Sequence, residues 1–396
     1  MIKERDFHGK NGGNKMSTKK RRYCRTPLVP ERKFRIGFPK GPARVIVAMR
    51  TKWVPGTVLP YCFLDEPSTL AGNDEVKLIT RQGFDAWTNI GLGIAFEEVT
   101  DPSEAKIRIG FKGDDGYWSW VGRDILKTHY LCLNPDCTST DPFESDANTP
   151  VCPVCASRDI EVDPRTMNLD RNSLTMEPKP SDVSTHEIGH SLGLPHEHQS
   201  PFSGIVWNRE AVYNTFMAPP NNWTKEIIDS NILDKLDEKE VAGSQWDPDS
   251  IMEYEFEEGL ILEPPKYQTG LVPAGGISAI DREWIQYWYP PSIVSEDIGL
   301  NTPIPLNLKP GNVREFYFLP LETRAHDFQT FGESDTVMVL FEEINGRRNQ
   351  LNADDDSGEN RNAHILHDLK KGSKYILSIR MYWNWTTPSD TTVKVW

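Results

Sequence analysis

The segment from His186 to His196 constrains the fold more than any other part of this 396-residue chain. It reads H-E-x-x-H-x-x-G-x-x-H. Residues four apart on an α-helix point to the same side, so His186 and His190 can bind one metal ion together. Gly193 allows the sharp turn that would end this helix and bring His196 round as a third ligand. Three histidines with a coordination position left open are typical of a catalytic zinc.

Glu187 lies next to the first histidine, where it would face the metal without binding it. A carboxylate there can take a proton from a metal-activated water and pass it to a leaving amine. The flanking sequence predicts a helix, because Ser181 or Asp182 can cap its start and apolar residues follow at Val183, Ile188, Leu192 and Leu194. The added glycine and third histidine favour the metal site over an ordinary amphipathic helix.

A second motif, D-S-I-M-E-Y at residues 249–254, lies downstream. The histidine motif followed by such a Met-turn resembles the metzincin zinc metallopeptidases. Glu197 directly after the third histidine, and S-x-M-x-Y at the turn, resemble the astacin branch. The resemblance implies that Met252 forms a hydrophobic floor beneath the zinc. It also implies that Tyr254 is a switchable zinc ligand that stabilises the oxyanion of the transition state.

The resemblance extends from about Trp53 to Pro290 and is closest to microbial astacin-like proteins. It implies an α+β catalytic domain over residues 44–291, with a twisted mixed sheet and helices around a zinc cleft. The implied activity is hydrolysis of peptide bonds in a protein or peptide substrate. We expect an extended substrate to pair with an edge strand of that sheet. We expect His198, two residues after the third ligand, to be solvated.

Residues 1–43 are rich in Lys, Arg, Gly and Pro and are predicted to be a tail or pro-segment. Cys24 has two interpretations. Its thiolate could occupy the open zinc position and keep the enzyme latent, as a pro-segment cysteine does in matrix metalloproteases. Alternatively it is a free, solvated thiol in a disordered tail, and the composition slightly favours this second interpretation.

Four further cysteines lie in a polar insertion at residues 126–165, at Cys132, Cys137, Cys152 and Cys155. The two pairs resemble the knuckles of a zinc ribbon, which predicts a second, structural Zn²⁺ closed by four thiolates. Two disulfides or free thiols are the alternatives. The N-terminus has no apolar stretch typical of an export signal, which disfavours disulfides. The same feature predicts a cytoplasmic protein or one exported by a non-classical route, unlike most astacins.

Residues 292–396 change character, with short apolar runs separated by turns such as Asn345-Gly346. They predict an all-β sandwich domain that resembles the bacterial pre-peptidase C-terminal type. The acidic stretch Asp354-Asp355-Asp356 could bind Ca²⁺ or form a solvated turn. An alternative function for the whole chain is a non-catalytic or latent zinc-containing binding or adhesion protein that uses this domain.

Composition excludes two classes of partner. The chain has 44 Lys and Arg against 58 Asp and Glu, a formal net charge of −14, which argues against nucleic acid. It has no apolar run of membrane-spanning length, so we expect no membrane span.

Overall fold

The computed structural model describes residues 23–27, 47–48, 51–53, 55–137, 142–145, 150–219, 221–236, 241–242, 246–291, 295–308, 313–345, 347–355, 357–359, 362–381 and 391–396. The apolar run at residues 44–49 predicts a helix or a strand from sequence, but most of this stretch lies outside the described residues. Its described part, Val47–Ala48, forms a short strand.

The helices lie in the first three quarters of the chain. They are α1 (Asp74–Thr88), α2 (Pro180–Ser191), α3 (Arg209–Phe216), α4 (Lys225–Ile228) and α5 (Ala279–Trp288). Within the described part of the chain, no helix combines the length and the apolar character needed to cross a membrane. Asn73 caps α1, and Ser278 forms a capping box with Asp281 at the start of α5.

The predicted cap of α2 is wrong. The helix begins at Pro180, before Ser181 and Asp182, and Lys179 precedes it without a side-chain cap. Proline suits the first position of a helix because the N–H that it lacks would have no partner inside the helix.

The described residues before 291 form twelve short strands. They are β1 (Val47–Ala48), β2 (Val58–Phe63), β3 (Ala95–Glu98), β4 (Ile107–Gly110), β5 (Trp118–Ser119), β6 (His129–Cys132), β7 (Phe143–Glu144), β8 (Ile160–Val162), β9 (Met167–Asn168), β10 (Val206–Trp207), β11 (Val241–Ala242) and β12 (Ile261–Glu263).

The main sheet of this part has the order β3-β2-β4-β9-β5. The first four strands are parallel, and β5 pairs antiparallel with β9 at the edge. Helix α2 packs against α1, where a Cβ added to Gly83 would lie 2.9 Å from Ser184 Cβ. The glycine therefore permits a close approach of the two helices.

The cysteine-containing insertion forms a separate antiparallel sheet of order β7-β6-β8. Its attachment to the main body includes a stack of His129 on Trp120, with ring centroids 3.8 Å apart. Lys127 Nζ also binds both carboxylate oxygens of Glu144 at 2.8 and 2.9 Å. The stack holds the insertion against the end of β5, and the ion pair joins Lys127 to β7 within the insertion.

The remaining strands follow residue 291. They are β13 (Ser295–Asp297), β14 (Ile304–Pro305), β15 (Val313–Phe318), β16 (Arg324–Phe331), β17 (Thr336–Ile344), β18 (Arg347–Asp354), β19 (His364–Leu369), β20 (Lys374–Met381) and β21 (Thr392–Val395). They form one sheet of order β13-β15-β20-β17-β18 and another of order β14-β21-β16-β19. Side chains of both sheets share one hydrophobic core, which includes Phe316, Leu340, Phe328 and Val393.

Candidate metal centre and active-site cleft

Helix α2 and the turn after it bring the three motif histidines together. His186 and His190 lie on one face of α2, and their ring centroids are 4.8 Å apart. Gly193 has a φ of +97°, a conformation that other residues rarely adopt, and the chain turns there. His196 then lies with its Nε2 atom 3.1 Å from Nε2 of His190.

Hydrogen bonds to main-chain carbonyls fix the orientation of two of these rings. Nδ1 of His186 donates to the Ile251 carbonyl at 2.8 Å, and Nδ1 of His190 donates to the Leu194 carbonyl at 2.7 Å. The protons on Nδ1 leave the Nε2 lone pairs free to bind a metal. Burial lowers the pKa of His186 to about 4, so its ring is neutral, which is the form that binds metals.

The structure overturns the interpretation of Cys24 as a solvated thiol. Cys24 is 8% exposed, and its Sγ lies 3.5 Å from Nε2 of His190. Ligand atoms of Cys24, His186, His190 and His196 all lie within 4.8 Å of one another. In a tetrahedral zinc site, two nitrogens are about 3.3 Å apart and a nitrogen and a sulfur about 3.6 Å. The residues therefore fit one zinc ion with four protein ligands.

Hydrogen bonds fix the segment 23–27 in the cleft. The Arg25 N–H donates to the Tyr117 carbonyl at 3.1 Å, just before edge strand β5, and Cys24 forms a parallel bridge with the same residue. On the other side, the Thr26 N–H and hydroxyl donate to Oδ1 of Asn231 at 2.8 and 3.0 Å. The segment therefore lies along the sheet edge, where an extended substrate is expected.

Glu187 faces the same centre from α2. It is fully buried, and its carboxylate interacts with the Cys24 thiol but with no N–H or O–H group of the described residues. Burial raises the pKa of Glu187 to about 8. A divalent cation at the histidines would oppose this rise, because positive charge favours the carboxylate.

The Met-turn lies directly beneath α2. A Cβ added to Gly189 would lie 2.5 Å from Sδ of Met252, so the sulfur packs against the helix at the level of the histidines. The Tyr254 hydroxyl lies 3.0 Å from Nε2 of His196 and also donates to the main-chain carbonyl of Cys24. Tyr254 thus donates to a peptide carbonyl that lies in the cleft.

His198 is fully buried, so its predicted solvation is wrong. Its ring stacks on His196, with centroids 5.3 Å apart, and Nε2 donates to the Asn231 carbonyl at 2.8 Å. Nδ1 lies 3.4 Å from Oε1 of Glu253. His198 therefore supports the third metal-site histidine. Sequence could have hinted at this role only through its position two residues after that ligand, because its partners are distant in the chain.

Glu197 is also buried, at 1% exposed, and accepts the Asp247 N–H at 3.1 Å. Burial is the main reason why the pKa of Glu197 lies well above its ordinary value. The negative charges of neighbouring acidic groups raise this pKa further. It connects the residue after the third histidine to the loop before the Met-turn.

A cavity of about 290 Å³ opens beside Glu187 and His186. Its lining includes Val272 and Pro273, from the stretch 255–274, for which the sequence alone predicts a loop and indicates no site residue. That prediction is wrong in part, since the stretch contains β12 and contributes to the cleft. Pairing of β12 with β10 fixes it, a long-range contact that periodicity does not reveal.

The four cysteines of the insertion converge on one point. Sγ of Cys132 lies 3.5 Å from Sγ of Cys155, and Sγ of Cys137 lies 3.6 Å from Sγ of Cys152. All four sulfurs lie within 4.8 Å of one another, and none is in a disulfide. Four thiolates around a zinc are about 3.8 Å apart, so the set fits a closed tetrahedral site.

Of the two interpretations of the acidic stretch at residues 354–356, calcium binding has no support in the structure. Oδ1 of Asp354 accepts the N–H groups of Ser357 and His364 at 3.1 and 2.8 Å, as in a turn. Among the residues that are described, the only groups of His, Cys, Asp or Glu suited to a metal are the two before residue 200. Asp356 lies outside the described residues.

Comparison with known proteins agrees with this geometry. Residues 52–202 match the family model of the matrixin peptidases. Metalloendoproteinase 1 from Glycine max is 31% identical over 154 residues, which cover 37% of this chain and 42% of that protein. The chain therefore spans less than half the length of this curated relative.

Two solved structures are also similar. A structure of myroilysin has 24% identity and a TM-score of 0.46, covering 63% of this chain and 100% of that one. The pre-peptidase C-terminal domain of a collagenase from Bacillus anthracis has 21% identity and a TM-score of 0.23, covering 27% and 97%.

The family match includes the motif at residues 186–196 and ends at residue 202. Residues 52–202 are thus similar to the matrixin peptidases, a metallopeptidase family of the metzincin kind. Cys24, Met252 and Tyr254 lie outside the matched residues.

Proposed function

We propose that this chain, which is similar to the matrixin peptidases over residues 52–202, is a zinc-dependent endopeptidase that Cys24 holds in a latent state. The observation that carries the proposal is the convergence of Cys24 and the three motif histidines on one point, with the buried carboxylate of Glu187 beside it. His186, His190 and His196 would hold the zinc. When bound there, zinc supplies a Lewis acid that activates a water and polarises the scissile carbonyl.

Glu187 carries the proton in the proposed reaction. Its carboxylate takes a proton from the attacking water and later delivers it to the leaving nitrogen. The absence of any other hydrogen-bond partner among the described residues leaves both oxygens available for this transfer. Its burial keeps bulk water away from the proton in transit.

Tyr254 stabilises the negative charge that develops on the substrate carbonyl. Its hydroxyl already donates to the carbonyl of Cys24, a peptide oxygen in the cleft. A donor fixed in this position acts without reorganisation when the carbonyl becomes tetrahedral. This role, together with the 3.0 Å distance to Nε2 of His196, supports the astacin-like subtype within the metzincins.

Cys24 accounts for latency. Its Sγ occupies the position that the water and the substrate carbonyl need, and a zinc site with four protein ligands is closed. Residues 23–27 would then act as a removable block within the N-terminal extension 1–43. Activity requires the segment to leave the cleft.

The four cysteines of the insertion hold a second, structural zinc in this proposal. Their sulfurs fit a closed site, and none of the hydrophobic core clusters among the described residues includes a residue of the β7-β6-β8 sheet. The domain after residue 291 is proposed to be a β-sandwich of the pre-peptidase C-terminal type, supported by the two sheets that share a core.

Cleavage of a diverse peptide mixture, read by mass spectrometry, tests the proposed activity. The samples are the full-length chain carrying Cys24→Ala and the same chain with Glu187→Gln added. We expect peptide cleavage by the first and none above background by the second, with equal zinc content in both. Equal cleavage rates would refute the role of Glu187. A lack of cleavage by both zinc-loaded samples would favour the alternative, a binding protein with a zinc site.

A further inference from the structure

The residue next to Cys24 enters a cluster of aromatic rings. The ring centroid of Tyr23 lies 4.8 Å from that of Phe216, 5.5 Å from that of Tyr254 and 6.5 Å from that of Phe256. These three rings, here called the aromatic cradle, belong to residues that are 0%, 4% and 1% exposed. Trp223 stacks behind Phe216, with centroids 5.3 Å apart, so the cradle is supported from within the domain.

The main chain around Tyr23 is held as a bound peptide would be. The Tyr23 N–H donates to Oδ1 of Asn221 at 3.2 Å, while the Arg25 N–H donates to the Tyr117 carbonyl at 3.1 Å. Successive N–H groups of an extended chain point to opposite sides, so the Thr26 N–H, which donates to Oδ1 of Asn231 at 2.8 Å, leaves the segment on the side away from Tyr117. The cleft thus grips a peptide main chain from both sides and directs one side chain into the cradle.

Departure of Cys24 would empty the cradle. Tyr23 is bonded directly to Cys24, so the Tyr23 ring cannot stay in place when the thiol moves far enough to admit a substrate. Phe216, Tyr254 and Phe256 would then face water, which is unfavourable for apolar rings. A side chain of similar shape from the substrate would cover them again.

We propose that the aromatic cradle is a subsite for an aromatic side chain of the substrate, within one residue of the cleaved bond. The inference rests on the proposed peptidase function and names its substrate class as peptides with Phe, Tyr or Trp at that position. The position follows from Tyr23 being one residue from the side chain that reaches the metal centre.

Ring geometry favours an aromatic over an aliphatic occupant. The Tyr23 ring is tilted by 59° to Phe216 and by 49° to Tyr254, and lies within 23° of parallel to Phe256. Tilted and offset arrangements of this kind stabilise aromatic pairs beyond the burial of their area, by a factor of roughly 2 to 12 in affinity for each pair. We expect a preference of about tenfold for Phe or Tyr over Leu, and a larger one over Ala.

The test uses the full-length chain with Tyr23→Ala and Cys24→Ala, which empties both the cradle and the metal position. Two series of peptides are used, one varied at the residue before the cleaved bond and one at the residue after it. In each series the varied residue is Phe, Tyr, Leu, Ala or Lys. We expect kcat/KM to be about tenfold higher for Phe and Tyr than for Leu. Adding Phe216→Leu or Phe256→Leu should reduce this preference to about twofold.

Phe111→Leu is the matched control, because Phe111 is equally buried in the same domain and contacts Phe63 instead of Tyr23. It should leave the preference unchanged. Cleavage without aromatic preference, or a preference that survives both cradle substitutions, would overturn the inference while leaving the peptidase proposal intact.

A binding measurement separates failure of the subsite from failure of the activity. The full-length chain with Tyr23→Ala, Cys24→Ala and Glu187→Gln is titrated with the Phe and Ala peptides by calorimetry. A Kd at least about tenfold lower for the Phe peptide is the expected result. Equal Kd values for the two peptides would overturn the inference, whether or not any variant cleaves peptides. Tighter binding of the Phe peptide without cleavage by any variant would refute only the peptidase function.

Discussion

Replacement of Cys24 by alanine should convert the latent chain into an active one, and the size of the effect can be worked from the contacts of segment 23–27. Five hydrogen bonds remain in the variant, from Tyr23, Arg25, twice from Thr26, and from Tyr254 to the carbonyl of residue 24. At about 1 kcal/mol each they contribute about 5 kcal/mol. The Tyr23 ring contacts add about 1–2 kcal/mol.

Ordering the backbone of five residues costs about 5–10 kcal/mol. Without the thiol, docking of the segment is therefore near balance or unfavourable, and the bond from Cys24 to the metal must close the site. We expect Cys24→Ala to raise kcat/KM for peptide cleavage at least about 100-fold, which corresponds to about 2.7 kcal/mol.

The assay is continuous cleavage of a fluorogenic peptide at matched zinc content. Cys62→Ala is the control, since Cys62 is a fully buried thiol on β2 in a separate cluster with Leu64 and Leu70. Loss of its Sγ should leave latency unchanged. If Cys24→Ala kept the parent rate while it bound zinc, the closed site inferred from the geometry would be refuted.

Three further predictions follow from other contacts. Thr26→Val removes the hydroxyl bond to Asn231 at 3.0 Å and should raise the basal cleavage rate of the latent chain about fivefold, with no change when added to Cys24→Ala. Cys155→Ser should lower the zinc content from two ions per chain to one and lower the Tm, as measured by elemental analysis and calorimetry, because three thiolates no longer close the insertion site. Burial lowers the pKa of His129 to about 3, whereas a histidine in the unfolded chain has a pKa near 6.5. Between about pH 3 and pH 6.5 only the unfolded state binds this proton, so acid destabilises the folded state. Relative to His129→Phe, which keeps a ring against Trp120, the parent should lose about 3 kcal/mol of unfolding free energy between pH 7 and pH 4 in denaturant titrations, and equal losses would refute the assignment.

Local patterns predicted the parts of the structure that depend on residues close in sequence. The spacing of His186, Glu187 and His190 on one helix follows from helical geometry, and Gly193 follows from the turn that brings in His196. Short apolar runs separated by turn residues predicted strands after residue 291, and β15, β17 and β20 lie on three of these runs, whereas strands such as β16 and β18 were not predicted.

Long-range contacts determined what the sequence could not reveal. Cys24 lies in a basic, glycine-rich stretch typical of a tail, and only its hydrogen-bond partners at Tyr117, Asn231 and Tyr254 bury it. His198 is polar and follows a loop, yet the Asn231 carbonyl and the ring of His196 enclose it. In both cases the partners are distant in the chain, and no periodicity connects them.

X-ray absorption at the zinc edge tests the central claim most directly, because it counts sulfur ligands at the metal without reference to turnover. Loaded with two zinc ions, the parent should show five cysteine sulfurs over two sites, one from Cys24 and four from the insertion. Cys24→Ala should show four, with the remaining position taken by a light atom. An unchanged sulfur count between the two proteins would contradict the assignment of Cys24 as the ligand that closes the three-histidine site.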